Sequence, residues 1–379
     1  MKIKTKTFIA NYDYMLLFTY FALITIGIFM QLNISSVRTT MDFFYNHFFR
    51  FLFALGSLYF AFKFVDLEKL RKLIFPLLIV ILGMLISVLI FGDAVKGAKR
   101  SIHLWKIDIQ PSLLARIILI FYFAHMLDKH KAKINDTKPK RFWIHFKQLI
   151  VVTFIIFLLI LFEKHFSPLI ISGITLLSLL FIAKIRLSTI GIILAACLIL
   201  ALLVIQFGAK YRSERMKIYA KYSLFHKNSE YTGTRDYQVK ESLLSLTGGK
   251  LLGTTSSRGT GKHYFLPEAR TDYIFSIIGE EFGFLGALFV IGLYIFLFYR
   301  VIINSLQQND TFLKLAGIGL GMNIFFNAMV NIGVSMAVLP STGVTLPFIS
   351  YGGTSLLVNS FSIGLLLNIS AKKQKLQSY

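Results

Sequence analysis

Long apolar runs separated by short polar stretches dominate the pattern of this chain. Ten runs can be counted, at roughly 14–32, 47–64, 73–91, 112–127, 149–163, 168–183, 187–207, 273–298, 313–336 and 346–370. A helix needs about 20 apolar residues to cross a bilayer, and helix tilt or extension into the interface accommodates the shorter runs. The pattern predicts an all-α polytopic membrane protein with about ten transmembrane helices, organised as one domain over residues 1–379.

The placement of positive charge predicts the orientation of these helices. Lysines and arginines cluster at the N-terminus and in alternate connections, at residues 1–6, 63–72, 129–141, 184–186, 300–314 and 372–375. Cytoplasmic connections of membrane proteins are enriched in these residues. Both termini are therefore predicted to be cytoplasmic, with an even number of spans. The first run is interpreted as an uncleaved helix because no small-residue cleavage site follows it.

Two outer connections are basic against this trend. Residues 92–110 carry four Lys or Arg, and residues 208–271, between the seventh and eighth runs, carry twelve against five acidic residues. A long loop can be translocated despite its charge. The excess fits either a solvated, headgroup-facing surface or a cationic bowl for an anionic, phosphate-bearing lipid. Nucleic acid is not expected as a partner, since stacking aromatic residues are not interleaved with the cations.

The composition supports a membrane protein and narrows the chemistry. Hydrophobic residues make up 55% of the 379 and charged residues only 16%, whereas a soluble domain carries about 25% charged residues. Cys197 is the single cysteine, so an intrachain disulfide is impossible. The eight histidines show no metal-ligand spacing, and no nucleotide-binding glycine loop is present. No metal site is predicted.

Asp272 is the strongest candidate for chemistry. It stands where the basic outer loop runs into the eighth apolar run, and Glu280 and Glu281 follow two turns later. A carboxylate at the mouth of a membrane bundle is costly to desolvate and commonly functional. The alternative is that Asp272, or Thr271 beside it, caps the helix and interacts favourably with its dipole.

A second candidate group follows the first outer loop. Pro111 suits the first turn of a helix, where Gln110 or Ser112 could act as cap. Arg116 then lies about one turn inside the membrane. It either snorkels to the interface or, with Arg100, offers a guanidinium fork to a diphosphate.

Two polar features mark the last third of the chain. Asn323, Asn327, Asn331 and Ser335 repeat every four residues on one helix face, a pattern typical of interhelical hydrogen bonding. The segment 339–353 contains prolines and glycines that interrupt a helix. Such backbone is tolerated at membrane depth only where protein or a cavity covers it, so a re-entrant-like loop that walls a site is predicted.

These residues together resemble the SEDS family (shape, elongation, division and sporulation) over the whole length of the chain. The resemblance is carried by Asn11–Tyr14 with Gly27, Gly97–Arg100, Gln110–Ser112, Tyr211–Arg212 with Gln238, Ser242 and Gly248–Gly249, Pro267–Glu281 and Leu339–Gly353. Weaker sequence choices favour the division branch over the elongation branch. Two positions depart from the family pattern, because Leu113 replaces an acid and Arg116 a lysine. A third departure is Ser101, which replaces a tryptophan. Either the acid is dispensable here or another carboxylate, such as Asp108 or Glu280, takes its place.

The resemblance implies ten transmembrane helices and an inverting glycosyltransferase that polymerises lipid II on the outer face of the bacterial inner membrane. It places the essential aspartate at Asp272. The residues expected to bind substrate are Arg100, Gln110, Ser112, Arg116, Arg212, Gln238 and Ser350. A divalent cation could share the neutralisation of the diphosphate.

The resemblance also implies partners, and two other functional classes remain open. A single-span class B penicillin-binding protein is expected to pack on the eighth and ninth helices, alongside other membrane proteins of division or elongation. The alternatives are a transporter that flips lipid-linked precursors and a non-catalytic scaffold for a transpeptidase. A transporter would place its polar groups near the bilayer midplane, and a scaffold would need no acid at position 272.

Overall fold

The computed structural model of the chain describes residues 12–37, 41–92, 94–95, 98–104, 107–134, 139–163, 166–206, 210–222, 234–254 and 268–375. Its helices are α1 (Tyr14–Val37), α2 (Asp42–Lys63), α3 (Leu67–Lys72), α4 (Ile74–Phe91), α5 (Pro111–Lys129), α6 (Lys131–Ile134), α7 (Pro139–His145), α8 (Lys147–Phe162), α9 (Phe166–Ile182), α10 (Leu187–Gln206), α11 (Lys210–Tyr222), α12 (Thr234–Gly248), α13 (Ile274–Leu306), α14 (Thr311–Ser335) and α15 (Gly353–Lys375). The predicted all-α class is confirmed. Each apolar run coincides with one long helix, although the last helix begins at Gly353 because the residues before it are irregular.

Six of the described helices are long and apolar enough to cross a membrane: α1, α4, α5, α13, α14 and α15. Shorter apolar helices form at Lys147–Phe162, Phe166–Ile182 and Leu187–Leu200. The connection between α4 and α5 adds two small antiparallel hairpins, β1 (Ala94–Val95) with β2 (Ala98–Lys99) and β3 (Ile102–Leu104) with β4 (Ile107–Ile109). The protein is therefore a multi-pass helical bundle with a small β element in one loop.

The centre of the bundle is α14, which packs against α5, α9, α13 and α15. No residue of this helix is exposed. The most extensive helix pair is α2 with α15. These two helices approach closely because Gly364 has no side chain, and a Cβ there would lie 2.3 Å from the carbonyl oxygen of Leu58.

Polar contacts join several helices at one end of the bundle. Arg300 contacts Asp13 at 2.8 Å, and the Asp13 amide donates to Ser370 at 3.1 Å, which places the start of α1 beside the end of α15. Arg71 contacts Asp128 at 2.5 Å at the end of α5. All five residues belong to the connections or helix ends predicted to be cytoplasmic, and the structure groups them together.

Helix α13 is broken at Gly283, where φ is 67° and ψ is −167°. The turn after α12 inserts at this break. The amide of Phe284 donates to the carbonyl of Lys250 at 2.9 Å, and that of Thr254 donates to the carbonyl of Glu280 at 2.9 Å. The break thus fastens the outer segment 249–254 to the helix that begins just after Asp272.

The predicted irregular loop 339–353 contains no helix until Gly353. It is covered by protein, as its backbone composition requires. Tyr294 of α13 donates a hydrogen bond to the carbonyl of Pro347. On the other side, a Cβ on Gly27 of α1 would lie 2.6 Å from the carbonyl oxygen of Phe348. The loop is therefore clamped between α1 and α13.

Candidate active site

Asp272 lies in a turn directly before α13. The N-cap of this helix is Tyr273, which makes no side-chain capping bond, and the Thr271 hydroxyl contacts the Glu268 carboxylate at 3.0 Å. Asp272 is half-buried. Its Oδ2 atom would lie 3.6 Å from a Cβ built on Gly343, so the carboxylate faces the loop 339–353. The carboxylate therefore lies against the loop 339–353, directly before the start of α13.

The asparagine stripe of α14 fixes the backbone around Asp272. The Asn331 side-chain amide donates to the carbonyl of Asp272 at 2.9 Å and to that of Val344 at 2.6 Å. Asn327 donates to the carbonyl of Thr345 at 3.4 Å. The predicted structural role of the stripe holds, and its partners are the two segments that enclose the candidate site.

Arg116 occupies the other half of the same stripe. Its Nε donates to Asn323 Oδ1 at 2.9 Å, and its Nη1 lies 3.5 Å from Asn327 Oδ1. The side chain is only 4% exposed. The snorkelling interpretation is therefore wrong, because Arg116 points into the bundle and two amide oxygens hold it there. Asn327 connects this guanidinium to the loop beside Asp272.

Ser350 holds the loop and the turn together. Its hydroxyl donates to the carbonyl of Thr271 at 2.6 Å and accepts from the amide of Leu346 at 2.8 Å. The amide of Tyr351 donates to the carbonyl of Arg270 at 2.8 Å. The structure thus gives Ser350, predicted as a substrate contact, a positioning role next to Asp272.

A carboxylate that the sequence analysis did not identify, Glu163, lies beside the start of α5. Gln110 is the N-cap of α5 but makes no side-chain capping bond, and Ser112 is fully buried. Glu163, just beyond the outer end of α8 in the turn to α9, is 0% exposed. It lies beside Ser112 and close enough to Arg100 to interact with its charge. No periodic signal links residue 163 to residue 112, so only the packing of α8 on α5 reveals the pair.

Burial dominates the electrostatics of Glu163. It raises the pKa of this carboxyl to about 8, and Ser112 and Arg100 oppose that shift without cancelling it. Of the other carboxylates considered for the place of the acid missing at Leu113, Glu280 is also buried, and the side chain of Asp108 lies outside the described residues.

The outer-loop candidates are described only in part. Gln238 lies on α12, partly exposed and one turn before Ser242. Ser242 contacts the Ser276 hydroxyl at 2.6 Å, which fixes α12 on α13. The side chain of Arg212 on α11 lies outside the described residues, as do Gly97 and Pro267. Helix α11 is tied to α12 by Lys221 and Asp236 at 3.1 Å, a contact that raises the pKa of Lys221.

The part of the chain that the structure describes holds no cluster of three or more His, Cys, Asp or Glu side chains suited to a metal ion. The candidate site consists of one carboxylate facing a loop, a buried arginine on an asparagine stripe, and a second buried carboxylate beside Arg100. Such a set can accept a proton at Asp272 and compensate negative charge through its guanidinium groups.

The amino-acid sequence of the chain is similar to that of known proteins over almost its whole length. The family model for FtsW, RodA and SpoVE, described as cell cycle protein, matches residues 14–375. The chain is 34% identical over 373 residues to a probable peptidoglycan glycosyltransferase FtsW of Trichlorobacter lovleyi, covering 96% of this chain and 94% of the relative. A protein of the same name from Geobacter metallireducens is 33% identical over 375 residues, covering 96% of each.

Solved structures share the fold. A structure described as a peptidoglycan synthase complex that coordinates polymerization and crosslinking superposes with a TM-score of 0.79 at 23% identity, covering 96% of this chain and 98% of the matched chain. The rod shape determining protein RodA of Thermus thermophilus superposes with a TM-score of 0.70 at 23% identity and the same coverage. At this identity the superpositions establish the helical architecture.

Proposed function

Because this chain belongs to the FtsW, RodA and SpoVE family of cell cycle proteins, we propose that it is a peptidoglycan glycosyltransferase that polymerises lipid II. Two relatives with end-to-end similarity are named probable peptidoglycan glycosyltransferase FtsW. The observation that carries the proposal is the half-buried carboxylate of Asp272, which faces loop 339–353 in a turn whose backbone is held by Asn331 and Ser350.

The proposed reaction is an inverting transfer between two lipid-linked saccharides. Asp272 accepts the proton of the acceptor hydroxyl while the oxygen of that hydroxyl bonds to the anomeric carbon of the donor sugar. The bond from that carbon to the diphosphate oxygen breaks, and the diphosphate leaves with the electron pair. General-base assistance of this kind contributes about 10²–10⁴-fold to the rate.

The cations of the site compensate the charge of the departing diphosphate. Arg116 is held by Asn323 and Asn327, so its guanidinium needs little reorganisation during the reaction. Arg100 stands beside Glu163 near the start of α5. A divalent cation, if bound with the substrate, would supply further positive charge against the leaving diphosphate.

The site is proposed to face the exterior of the bacterial inner membrane. The enrichment of Lys and Arg in the connections near Arg71 and Arg300 supports a cytoplasmic location for the opposite end of the bundle. Reporter fusions after Lys72, Arg141 and Lys375 should then be cytoplasmic, and fusions within residues 220–260 external. A cytoplasmic result for residues 220–260 would contradict the proposal that the site faces the exterior.

A single-span class B penicillin-binding protein is the proposed partner, and the fold shared with a peptidoglycan synthase complex supports it. Helix α14 offers no exposed residue, whereas α13 exposes Phe284, Leu288 and Phe289. Partner packing is therefore expected on α13. Co-purification should weaken when Leu288→Trp and Phe289→Ala are combined, while recovery of an unchanged complex would place the partner elsewhere.

The proposed function is tested by adding lipid II to the purified full-length chain in liposomes. Glycan polymer on a gel, at lipid II turnover above that of protein-free liposomes, is the expected result. Movement of labelled lipid across the bilayer without polymer would favour a transporter. Absence of both activities, with and without a co-purified partner, would favour a scaffold.

A further inference from the structure

A second cluster, formed by Arg50 and His47, lies on α2, a different helix from the one that carries Arg116. Arg50 stands eight residues after the first residue of α2, Asp42, which is about 12 Å along the helix axis. Its guanidinium carbon lies 4.5 Å from the centroid of the Tyr351 ring. Among the described carboxylates, none forms an ion pair with Arg50.

The N-terminus of α15 lies directly beside this guanidinium. A Cβ on Gly353, the first residue of α15, would lie 3.3 Å from Arg50 Nε. A helix N-terminus carries partial positive charge and free amide groups, so a cation there is unfavourable by itself. An anion placed beside both groups is attracted by both. The juxtaposition therefore points to a negatively charged ligand.

His47 adds an independent observation. It precedes Arg50 by three residues and so shares its helix face. It is 2% exposed, and its Nδ1 atom has no hydrogen-bond partner. Its ring centroid lies 5.7 Å from that of Tyr351. A buried nitrogen without a partner is costly, and a ligand oxygen beside Tyr351 would satisfy it.

The cluster is connected to the turn that carries Asp272. The Tyr351 amide donates to the carbonyl of Arg270, two residues before Asp272, at 2.8 Å. The guanidinium carbon of Arg270 lies 4.2 Å from the centroid of the Phe43 ring, which in turn contacts Tyr351 at 5.9 Å between centroids. Side chains of α14 therefore connect Arg116 with the turn that carries Asp272. Tyr351 connects Arg50 with the same turn.

We propose that Arg50, His47 and the first turn of α15 form a second anion subsite that binds the diphosphate of one of the two lipid-linked saccharides. The group around Arg100 and Arg116 binds the other diphosphate. This inference rests on the proposed function, since a polymerase must hold two such lipids at once. Two diphosphates repel each other strongly at low dielectric, so two separate subsites, each linked to the segments around Asp272, let the sugars meet while the charges stay apart.

Isothermal titration of the purified full-length chain in detergent with undecaprenyl diphosphate tests this subsite. Wild-type protein should bind two equivalents. Arg50→Gln should lose one equivalent or raise its Kd by about tenfold or more, the usual effect of removing a charge-assisted hydrogen bond. Arg50→Lys should be intermediate because it keeps the charge without the planar fork, and it serves as the readout if Arg50→Gln does not fold. Arg186→Gln, which removes the same charge from an exposed turn, should leave both equivalents unchanged.

Two results would overturn the proposal. One is Arg50→Gln binding two equivalents with wild-type affinity. The other is phosphatidylglycerol competing equally well for the Arg50-dependent equivalent, which would make the cluster a general site for anionic headgroups. A lipid II assay on the same preparations separates this proposal from the proposed function. If wild-type protein makes no glycan but keeps Arg50-dependent binding, the polymerase assignment fails and the subsite stands.

Discussion

Asn331 donates one hydrogen bond to the backbone carbonyl of Asp272, at 2.9 Å, from a position where it is completely buried. The same amide group holds Val344 of the opposing loop. One side chain therefore sets the distance between the candidate base and the loop 339–353 that it faces. The position of the Asp272 carboxylate therefore depends on Asn331 of α14, which lies 59 residues later in the sequence.

Substituting Asn331 should lower the rate of glycan synthesis beyond the loss that follows from reduced stability. Asn331→Asp keeps the size but removes both donated bonds, and a displacement of ~1 Å at a reacting group can cost ~100-fold in rate. Asn359→Asp is the matched control, because Asn359 is also buried but donates only within its own helix, to the carbonyl of Ser355 at 2.8 Å. Glycan synthesis and thermal unfolding are measured for both. Equal losses of activity in the two variants would remove the positioning role.

The break in α13 should be intolerant of any side chain at Gly283. Its backbone conformation (φ 67°, ψ −167°) is essentially restricted to glycine and costs another residue about 1–3 kcal/mol, and a Cβ there would lie 2.3 Å from the amide nitrogen of Gly253. Gly283→Ala should lower the unfolding temperature and detach segment 249–254. Gly292→Ala on the same helix meets nothing within 4 Å and should be neutral or stabilising. Similar melting curves for both variants would show that the inserted turn is not fixed to the break.

Glu163 should make substrate affinity depend on pH near 8. Below its raised pKa of about 8 the carboxyl is protonated, which leaves Arg100 available to phosphate. Above that pKa the carboxylate forms and competes for Arg100, so KM should rise as the pH increases through 8. Glu163→Gln mimics the protonated form and should keep activity while losing this rise. A Gln variant with an unchanged KM profile would assign the pH dependence to another group.

The sequence predicted the helices well because apolar runs of membrane length and basic connections are local signals. The irregular loop before Gly353 and the polar face of Asn323, Asn327 and Asn331 were also visible, since proline, glycine and a four-residue repeat need no tertiary information. The burial of Arg116 could not be predicted, because its depth allowed both snorkelling and inward pairing. Only α14 supplies the amides that decide between them.

The remaining site residues depend on contacts distant in sequence. Arg50 contacts Tyr351, which lies about 300 positions later in the sequence. Glu163, at the end of α8, lies beside Ser112 of α5. Neither position is marked by a motif or a period in the chain. The same limit applies to Ser350, which suggested a substrate contact in sequence but uses its hydroxyl to fix Thr271 and Leu346.

The role of Asp272 is tested most directly by Asp272→Asn in a lipid II polymerisation assay with the purified chain. The substitution preserves size and removes the negative charge and the capacity to accept a proton. The variant should fold, insert and bind lipid II like wild type, yet its rate of glycan synthesis should fall by about 10²–10⁴-fold. Polymerisation by Asp272→Asn at a rate near that of wild type would contradict the assignment of Asp272 as the catalytic base.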